Sequence, residues 1–255
     1  MIFKICIGSA LAGILIAIAG ALYVGSSWLN MDVVKRDDFS ELFHLAGSVA
    51  FSLGLLTICA CKFDLFTGKV GSFFEVRNDF DNKCLHLTYL LFILVMNLAF
   101  AGGAGVAMYY ALKKTHFTAI VHSIVDAKTN ISSPNSYVKT ALQSVFCGSC
   151  VHMAVKGFQH NFIFCILFVT AFVYNNFQHC IANMFYFGVM FKEFRYEMLI
   201  NEGIAIVGNI IGTIPIALLV NKLNSVDASS SSISYSQPAI RRSRKANQVF
   251  DEYSV

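Results

Sequence analysis

The sequence predicts an all-α membrane protein with six transmembrane helices. Hydrophobic residues make up 56% of its 255 residues and charged residues only 13%, which is about half the charged share of soluble domains. The chain also contains six long stretches without Asp, Glu, Lys or Arg. This composition excludes a disordered chain, a nucleic-acid-binding protein and a small secreted domain held together by disulfides.

The six uncharged stretches locate the spans. They are residues 5–31, 42–61, 84–112, 140–155, 157–191 and 203–221. A helix needs about 20 apolar residues to cross the bilayer core, and a charge at its centre costs about 2.5–3.5 kcal/mol on insertion scales. A soluble protein with buried helices is the less favoured alternative. We therefore assign residues 1–223 to a channel domain whose two termini lie on the same side.

The first span begins close to Met1, a position that a secretory signal peptide could also occupy. The apolar core of a signal peptide is about 7–15 residues long. The apolar run from Ile5 to Val24 is longer than that, so we expect a retained transmembrane helix.

Two of the stretches predict interrupted helices. The fifth stretch, 157–191, is too long for one straight crossing and too short for two crossings with a turn. After the second stretch, residues 62–69 contain charges and a glycine, and a short apolar segment follows. Breaks in the second and fifth of six spans occupy corresponding positions in two halves. This pattern is typical of an inverted repeat with its pathway at the breaks.

Small residues recur along the spans and predict close helix packing, because they let helix backbones approach each other. Gly208 and Gly212 form a GxxxG pattern in the sixth span, and three further glycines lie at positions 102, 103 and 105 of the third. Ordinary bundle packing and packing around a pore or between subunits both remain open.

Residues 224–255 have a different composition and predict a disordered, solvated tail. A serine run occupies residues 229–232, and a basic cluster occupies residues 241–245. Polar segments of this kind bury too little apolar surface to fold. The basic cluster favours cytoplasmic termini by the positive-inside rule, and we expect the plasma membrane as the location.

Cysteines and histidines are the candidate reactive groups. Cys147 and Cys150 have the C-x-x-C spacing of a redox or zinc pair, but inside an apolar helix two buried structural residues are the more common interpretation. We expect no metal and no cofactor. His179 lies in the middle of the fifth stretch, among the polar residues of segment 174–185. An ionisable residue at membrane depth is a functional-site hypothesis by default.

Three motifs in this chain resemble a known family. Residues 177–185 (FQHCIANMF) resemble the GFEHSxANMF signature of the formate/nitrite transporter family. Residues 64–68 (DLFTG) resemble its ELFTG loop, and residues 208–212 (GNIIG) resemble its GNIIGG motif. The resemblance extends from the first span to about Leu223. It implies a homopentamer of aquaporin-like subunits with helices 2 and 5 broken, each with its own pore and a histidine between two hydrophobic constrictions.

The resemblance also implies a pore lining. The centre would consist of His179, the facing Thr67, the motif asparagine Asn183 and the neighbouring Gln178. The outer constriction would consist of Phe51 and Phe172 with Val151 nearby, and the inner one of Leu55, Leu65 and Phe66. No catalytic residue is implied.

The chain departs from the family pattern at several positions. Gln178 replaces the glutamate before the histidine, which removes a charge, and Gly148 replaces the asparagine usual in span four. The lysine that the family pattern has in the vestibule before span four has no exact counterpart here. Lys128 or Lys139 could serve after a loop insertion, and Lys156 is a further candidate.

These residues predict a membrane channel or transporter for a small monovalent weak acid such as formate, nitrite, acetate, lactate or hydrosulfide, and no enzyme. Stripping water from an anion is very costly in an apolar medium, and desolvation of a carboxylate favours its neutral acid. We therefore expect proton-linked passage at His179, either coupled to a proton or as an anion paired with transient protonation of His179, because a histidine ordinarily titrates near neutral pH. The proton could come from His179 or from bulk water at the vestibule.

Two other classes are the alternatives. A water- or glycerol-conducting channel would share the broken helices, but it would have two NPA repeats that this chain lacks. A membrane redox enzyme would need paired histidines on facing helices.

Overall fold

The computed structural model describes residues 2–33, 40–75, 82–113, 115–130 and 133–234. All regular structure in these ranges is helical, which confirms the predicted all-α class. The α-helices are α1 (Ile2–Val33), α2 (Ser40–Cys61), α3 (Phe66–Lys69), α4 (Lys83–Leu112), α5 (His116–Thr129), α6 (Pro134–Phe158), α7 (Phe162–Tyr174), α8 (Cys180–Val189) and α9 (Tyr196–Ser234), with 3₁₀ turns at Val70–Phe73 and Phe191–Glu193.

Four of the described helices are long and apolar enough to cross a membrane. They are α1 over Ile2–Ser26, α2 over Glu41–Cys61, α4 over Lys83–Leu112 and α9 over Tyr196–Leu223. These four correspond to the first, second, third and sixth uncharged stretches. The fourth stretch lies within α6, and the fifth is divided between the shorter apolar helices α7 and α8.

The helices stop where the sequence predicts interruptions. α2 ends at Cys61, and the next residue, Lys62, has a φ of 56°. α7 ends at Tyr174, and Asn176 has a φ of 53°. The left-handed conformation ends an α-helix and costs a non-glycine residue about 1–2 kcal/mol. Each segment then re-enters a helix within a few residues, α3 after the first break and α8 after the second.

Glycines in α6 and α9 allow the backbones of these two helices to lie very close together. A Cβ atom at Gly148 would collide with the backbone of Asn209, and one at Gly212 would collide with the carbonyl of Val145. The GxxxG pattern of the sixth span is therefore a contact between helices within one chain. The same contact explains why a side chain cannot be accommodated at position 148.

We expect Gly212→Ala to destabilise the protein by about 1–3 kcal/mol, because a buried methyl group is forced into a filled contact. Gly203 is the matched control on the same helix, since a Cβ atom there meets no atom within 4 Å. Thermal unfolding in detergent should separate Gly212→Ala from both Gly203→Ala and the unmodified protein. Equal melting temperatures for the two variants would contradict the close approach of α6 and α9.

A second unit comprises Leu219–Val255, and the structure describes it as far as Ser234. Here α9 continues through residues 224–234, which the sequence analysis assigns to a disordered tail. No glycine or proline occurs between residues 216 and 237 to end the helix, and both are the usual helix terminators. Residues 235–255, with the basic cluster, lie outside the described part of the chain.

Candidate functional site

His179 ends the second break and caps α8. Its side chain is buried, with 2% exposed. The Nδ1 atom accepts a hydrogen bond from the backbone N–H of Ala182 at 3.2 Å, so in the neutral ring the proton is on Nε2. Nε2 lies 2.9 Å from Oγ1 of Thr67 and donates to it in this tautomer. The hydroxyl hydrogen of the buried Thr67 is then available to another acceptor.

The second break is held in place by Asn209 of α9. Its Oδ1 accepts from the backbone N–H of Cys180 at 3.1 Å. Its Nδ2 donates to the carbonyls of Gln178 and Ser144, both at 2.8 Å. Since Asn209 is fully buried, its amide satisfies the backbone groups on both sides of His179 and also joins this break to α6 at Ser144.

The first break is held by Asn97 of α4 in the same way. Its Oδ1 accepts from the backbone N–H of Phe66 at 2.8 Å. Its Nδ2 donates to the carbonyls of Ser9 at 2.7 Å and Asp64 at 3.0 Å. Asn97 was not predicted from the sequence as a site residue. The available signal was a single amide in the apolar third span, where an unpaired polar group is costly.

Two aromatic side chains enclose His179. The rings of Phe51 and Phe172 meet edge to face with centroids 6.0 Å apart, and Phe172 stacks on the His179 ring at 5.7 Å. Both phenylalanines are at most 3% exposed. Together with His179 and Asn183 they line a small cavity of about 30 Å³, called here the histidine pocket.

A larger cavity of about 510 Å³ adjoins the histidine pocket and is called here the lysine cavity. Its lining includes Lys128, Lys139, Gln143 and Gln178, and Lys128 also lines the histidine pocket. The Nζ atom of Lys128 donates to Oε1 of Gln178 at 3.2 Å. Burial lowers the pKa of the Lys128 ammonium to about 8, with Cys147 and Glu202 acting in the opposite direction. The side chain therefore remains mostly protonated at neutral pH.

An amide network connects the lysine cavity to the histidine pocket. Nδ2 of Asn183 donates to Oε1 of Gln178 and to Oδ1 of Asn201, both at 3.1 Å. Asn201 in turn donates to the carbonyl of Lys128 at 2.8 Å. Oδ1 of Asn183 is buried and has no partner among the described residues. One acceptor of this network is therefore left without a hydrogen bond beside the pocket.

A third cavity of about 420 Å³ includes Leu55 and Leu65 in its lining and is called here the leucine cavity. Both leucines are 2% exposed. Lys62 and Lys69 also line this cavity, and the sequence analysis gave them no role. Leu65 directly precedes α3, which carries Thr67.

The remaining predicted site residues lie away from these cavities. Phe66 and Val151 are buried at 3% and 0% exposure, but they line none of the three. Lys156 forms an ion pair with Glu75, with Nζ 2.7 Å from Oε1. The structure thus brings together His179, Thr67, Asn183 and Gln178 with Phe51, Phe172 and Lys128, and it separates Lys156 from them.

The fold and this site define a class, namely helical membrane proteins with interrupted helices around a buried polar centre. The model of the formate/nitrite transporter family matches residues 1–223. The chain therefore belongs to the formate/nitrite transporter family, which confirms the resemblance seen in its three motifs.

A solved structure described as a pentameric formate channel with formate bound has the same fold. It matches with a TM-score of 0.61 at 21% identity and covers 91% of this chain and 97% of that chain. No curated protein matches this chain significantly.

Proposed function

We propose that this protein is a channel or transporter for small monovalent weak acids, with formate, nitrite, acetate, lactate and hydrosulfide as the candidate substrates. The observation that carries the proposal is the 2.9 Å contact between Thr67 and His179. This contact joins the two chain breaks in a buried position, with the histidine pocket and the leucine cavity lined by residues on either side of it.

The substrate meets a positive charge before it meets the aromatic pair. Lys128 and Lys139 line the lysine cavity, and basic groups at a cavity mouth raise the local concentration of anions. The histidine pocket of about 30 Å³ has room for only about two water molecules. A small carboxylate therefore enters it without its hydration shell.

Passage as the neutral acid fits the polar groups of the pocket. An unsolvated anion in apolar surroundings is costly, and a nearby proton donor removes that cost. The Thr67 hydroxyl can donate to the carbonyl oxygen of the acid, and Oδ1 of Asn183 can accept from its O–H group. The α8 N-terminus at His179 adds a partial positive charge that favours electron-rich atoms.

His179 serves in this account as a fixed donor at the centre of a proton-linked pathway. A second proton on its Nδ1 would remove the acceptor of the Ala182 N–H and uncap α8. Loss of an N-cap costs about 1 kcal/mol. The substrate therefore takes its proton on the lysine-cavity side, and the histidine keeps its tautomer.

We also propose the inverted repeat as the architecture of this path. Asn97 and Asn209 form equivalent hydrogen bonds to the two breaks. The two asparagines accept hydrogen bonds from the backbone N–H groups of Phe66 and Cys180. These are the first residues of α3 and α8. Equivalent partners in the two halves support six crossings and a pathway at the breaks. A homopentamer in the plasma membrane with cytoplasmic termini completes the proposal.

The test is uptake of labelled formate, acetate and lactate into proteoliposomes at several pH values. We expect initial rates to rise as the pH falls and to saturate with each acid. Swelling in glycerol, measured by stopped flow, serves as the control for a neutral-solute channel. Rapid glycerol entry with no weak-acid uptake would overturn the proposal in favour of that alternative.

A further inference from the structure

Glu202 is a buried carboxylate in the last membrane helix. It is 7% exposed, and neither carboxylate oxygen has a hydrogen-bond partner among the described residues. It lies in α9, inside the candidate span Tyr196–Leu223. The charged form of a buried, unpaired carboxylate has a high free energy. Ionisable residues at membrane depth usually interact with another charged or polar group.

The helical repeat places Glu202 on the face of α9 that holds the second break. Positions 198, 202, 205 and 209 follow the three- and four-residue spacing of one helix face, and all four are buried. Asn209, two turns further along, bonds the backbone on both sides of His179. The carboxylate is therefore one of the groups that α9 presents to the polar centre.

The neighbour Asn201 ties this part of α9 to Lys128. Its Nδ2 donates to the Lys128 carbonyl at 2.8 Å, and its Oδ1 accepts from Asn183 of the histidine pocket. The titratable groups close enough to interact electrostatically with Glu202 are Lys128 of α5 and the neutral thiol of Cys180 of α8. Lys128 is the basic group of this set. No ion pair within 4 Å joins the two side chains among the described residues.

We infer that Glu202 is a proton-binding site in the wall of the pathway, and that its protonation sets the net charge met by an anion beside Lys128. The inference rests on the proposed weak-acid transport. When Glu202 is ionised, its charge offsets that of Lys128 and the attraction for anions is weak. When Glu202 takes up a proton from solution, Lys128 is left uncompensated and anions are attracted. Acidification therefore promotes proton binding at Glu202 and anion binding beside Lys128.

The transport test compares Glu202→Gln with the unmodified protein across a pH series. Glutamine copies the neutral acid at every pH, so the rates should agree at acidic pH. At pH values high enough to ionise Glu202 but below the Lys128 pKa of about 8, Glu202→Gln should be faster by about threefold or more, because the offsetting charge is gone. The matched control is Glu197→Gln, on the same helix and outside the network, which should follow the unmodified protein. Identical pH profiles for Glu202→Gln and the unmodified protein would overturn the inference.

A second measurement does not depend on transport. Infrared difference spectra recorded during acidification should contain a protonated carboxylic acid band that is missing in Glu202→Gln. If the unmodified protein transports no weak acid, the proposed function fails, and this band alone then decides whether Glu202 binds a proton. Absence of a Glu202-dependent band would overturn the site even in an active transporter. If Glu202→Gln does not fold, Glu202→Asp takes its place, and a shift of the band in that variant assigns it to position 202.

Discussion

We expect His179→Phe to reduce weak-acid uptake by about 10- to 100-fold. The substitution removes the Nε2–H group next to Thr67. Removing one partner and leaving a buried polar group unsatisfied costs about 1–3 kcal/mol, and each 1.4 kcal/mol corresponds to a factor of ten. The measurement is the initial rate of labelled formate uptake into proteoliposomes, with the amount of inserted protein determined for each variant.

His179→Phe also removes the cap of α8, so a second variant must separate capping from substrate contact. Asparagine is among the best N-cap residues, and its Oδ1 can accept the Ala182 N–H that Nδ1 of His179 accepts now. We therefore expect His179→Asn to keep the melting temperature near that of the unmodified protein while uptake stays low. Full uptake with an unchanged pH profile in both variants would contradict a central role for this side chain.

The breaks in the second and fifth spans could be predicted from the sequence because charges are costly in a bilayer. One uncharged stretch was too long for a single crossing, and one span was followed by Lys62 and Asp64. The pairing of Thr67 with His179 had a different source. It came from motif resemblance, since 112 residues separate the two positions and no local pattern joins them.

Other parts of the site could not be read from the sequence, for physical reasons that differ between residues. Asn97 is a single amide in an apolar helix, and its hydrogen-bond partners Ser9 and Phe66 lie far from it in the sequence. Glu202 borders the last uncharged stretch and thus resembles an interfacial residue. Because α9 begins earlier, at Tyr196, the carboxylate lies further inside the helix than its position in the sequence indicates.

The family pattern has a glutamate where this chain has Gln178, and the structure shows which hydrogen bonds the amide forms there. Oε1 of Gln178 accepts from both Lys128 and Asn183, so the amide supplies the acceptor without the charge. Among the described residues, Glu202 is the carboxylate whose charge acts on the same lysine. Lys128 is therefore the group on which the charge balance of the lysine cavity depends.

We expect Lys128→Gln to lower anion uptake about tenfold at pH about 7, because a basic group at the cavity mouth concentrates anions locally. Burial lowers the pKa of Lys128 to about 8. The ammonium is therefore charged below that pH and neutral above it. The difference between the unmodified protein and Lys128→Gln should shrink as the pH rises through about 8, and it should be largest on the acidic side.

Two further variants test whether the positive charge of Lys128 is responsible for this effect. Lys128→Arg keeps a positive charge whose pKa is above 12, so its advantage over Lys128→Gln should persist at pH above 8. Lys139→Gln removes the exposed lysine of the same cavity, where water and salt screen the charge, and its effect should be smaller. Uptake rates measured across the pH series contradict this assignment if both lysine-to-glutamine variants lose activity equally. The same holds if the Lys128→Gln defect is independent of pH, because Lys128 would then act through packing and its charge would not attract the substrate.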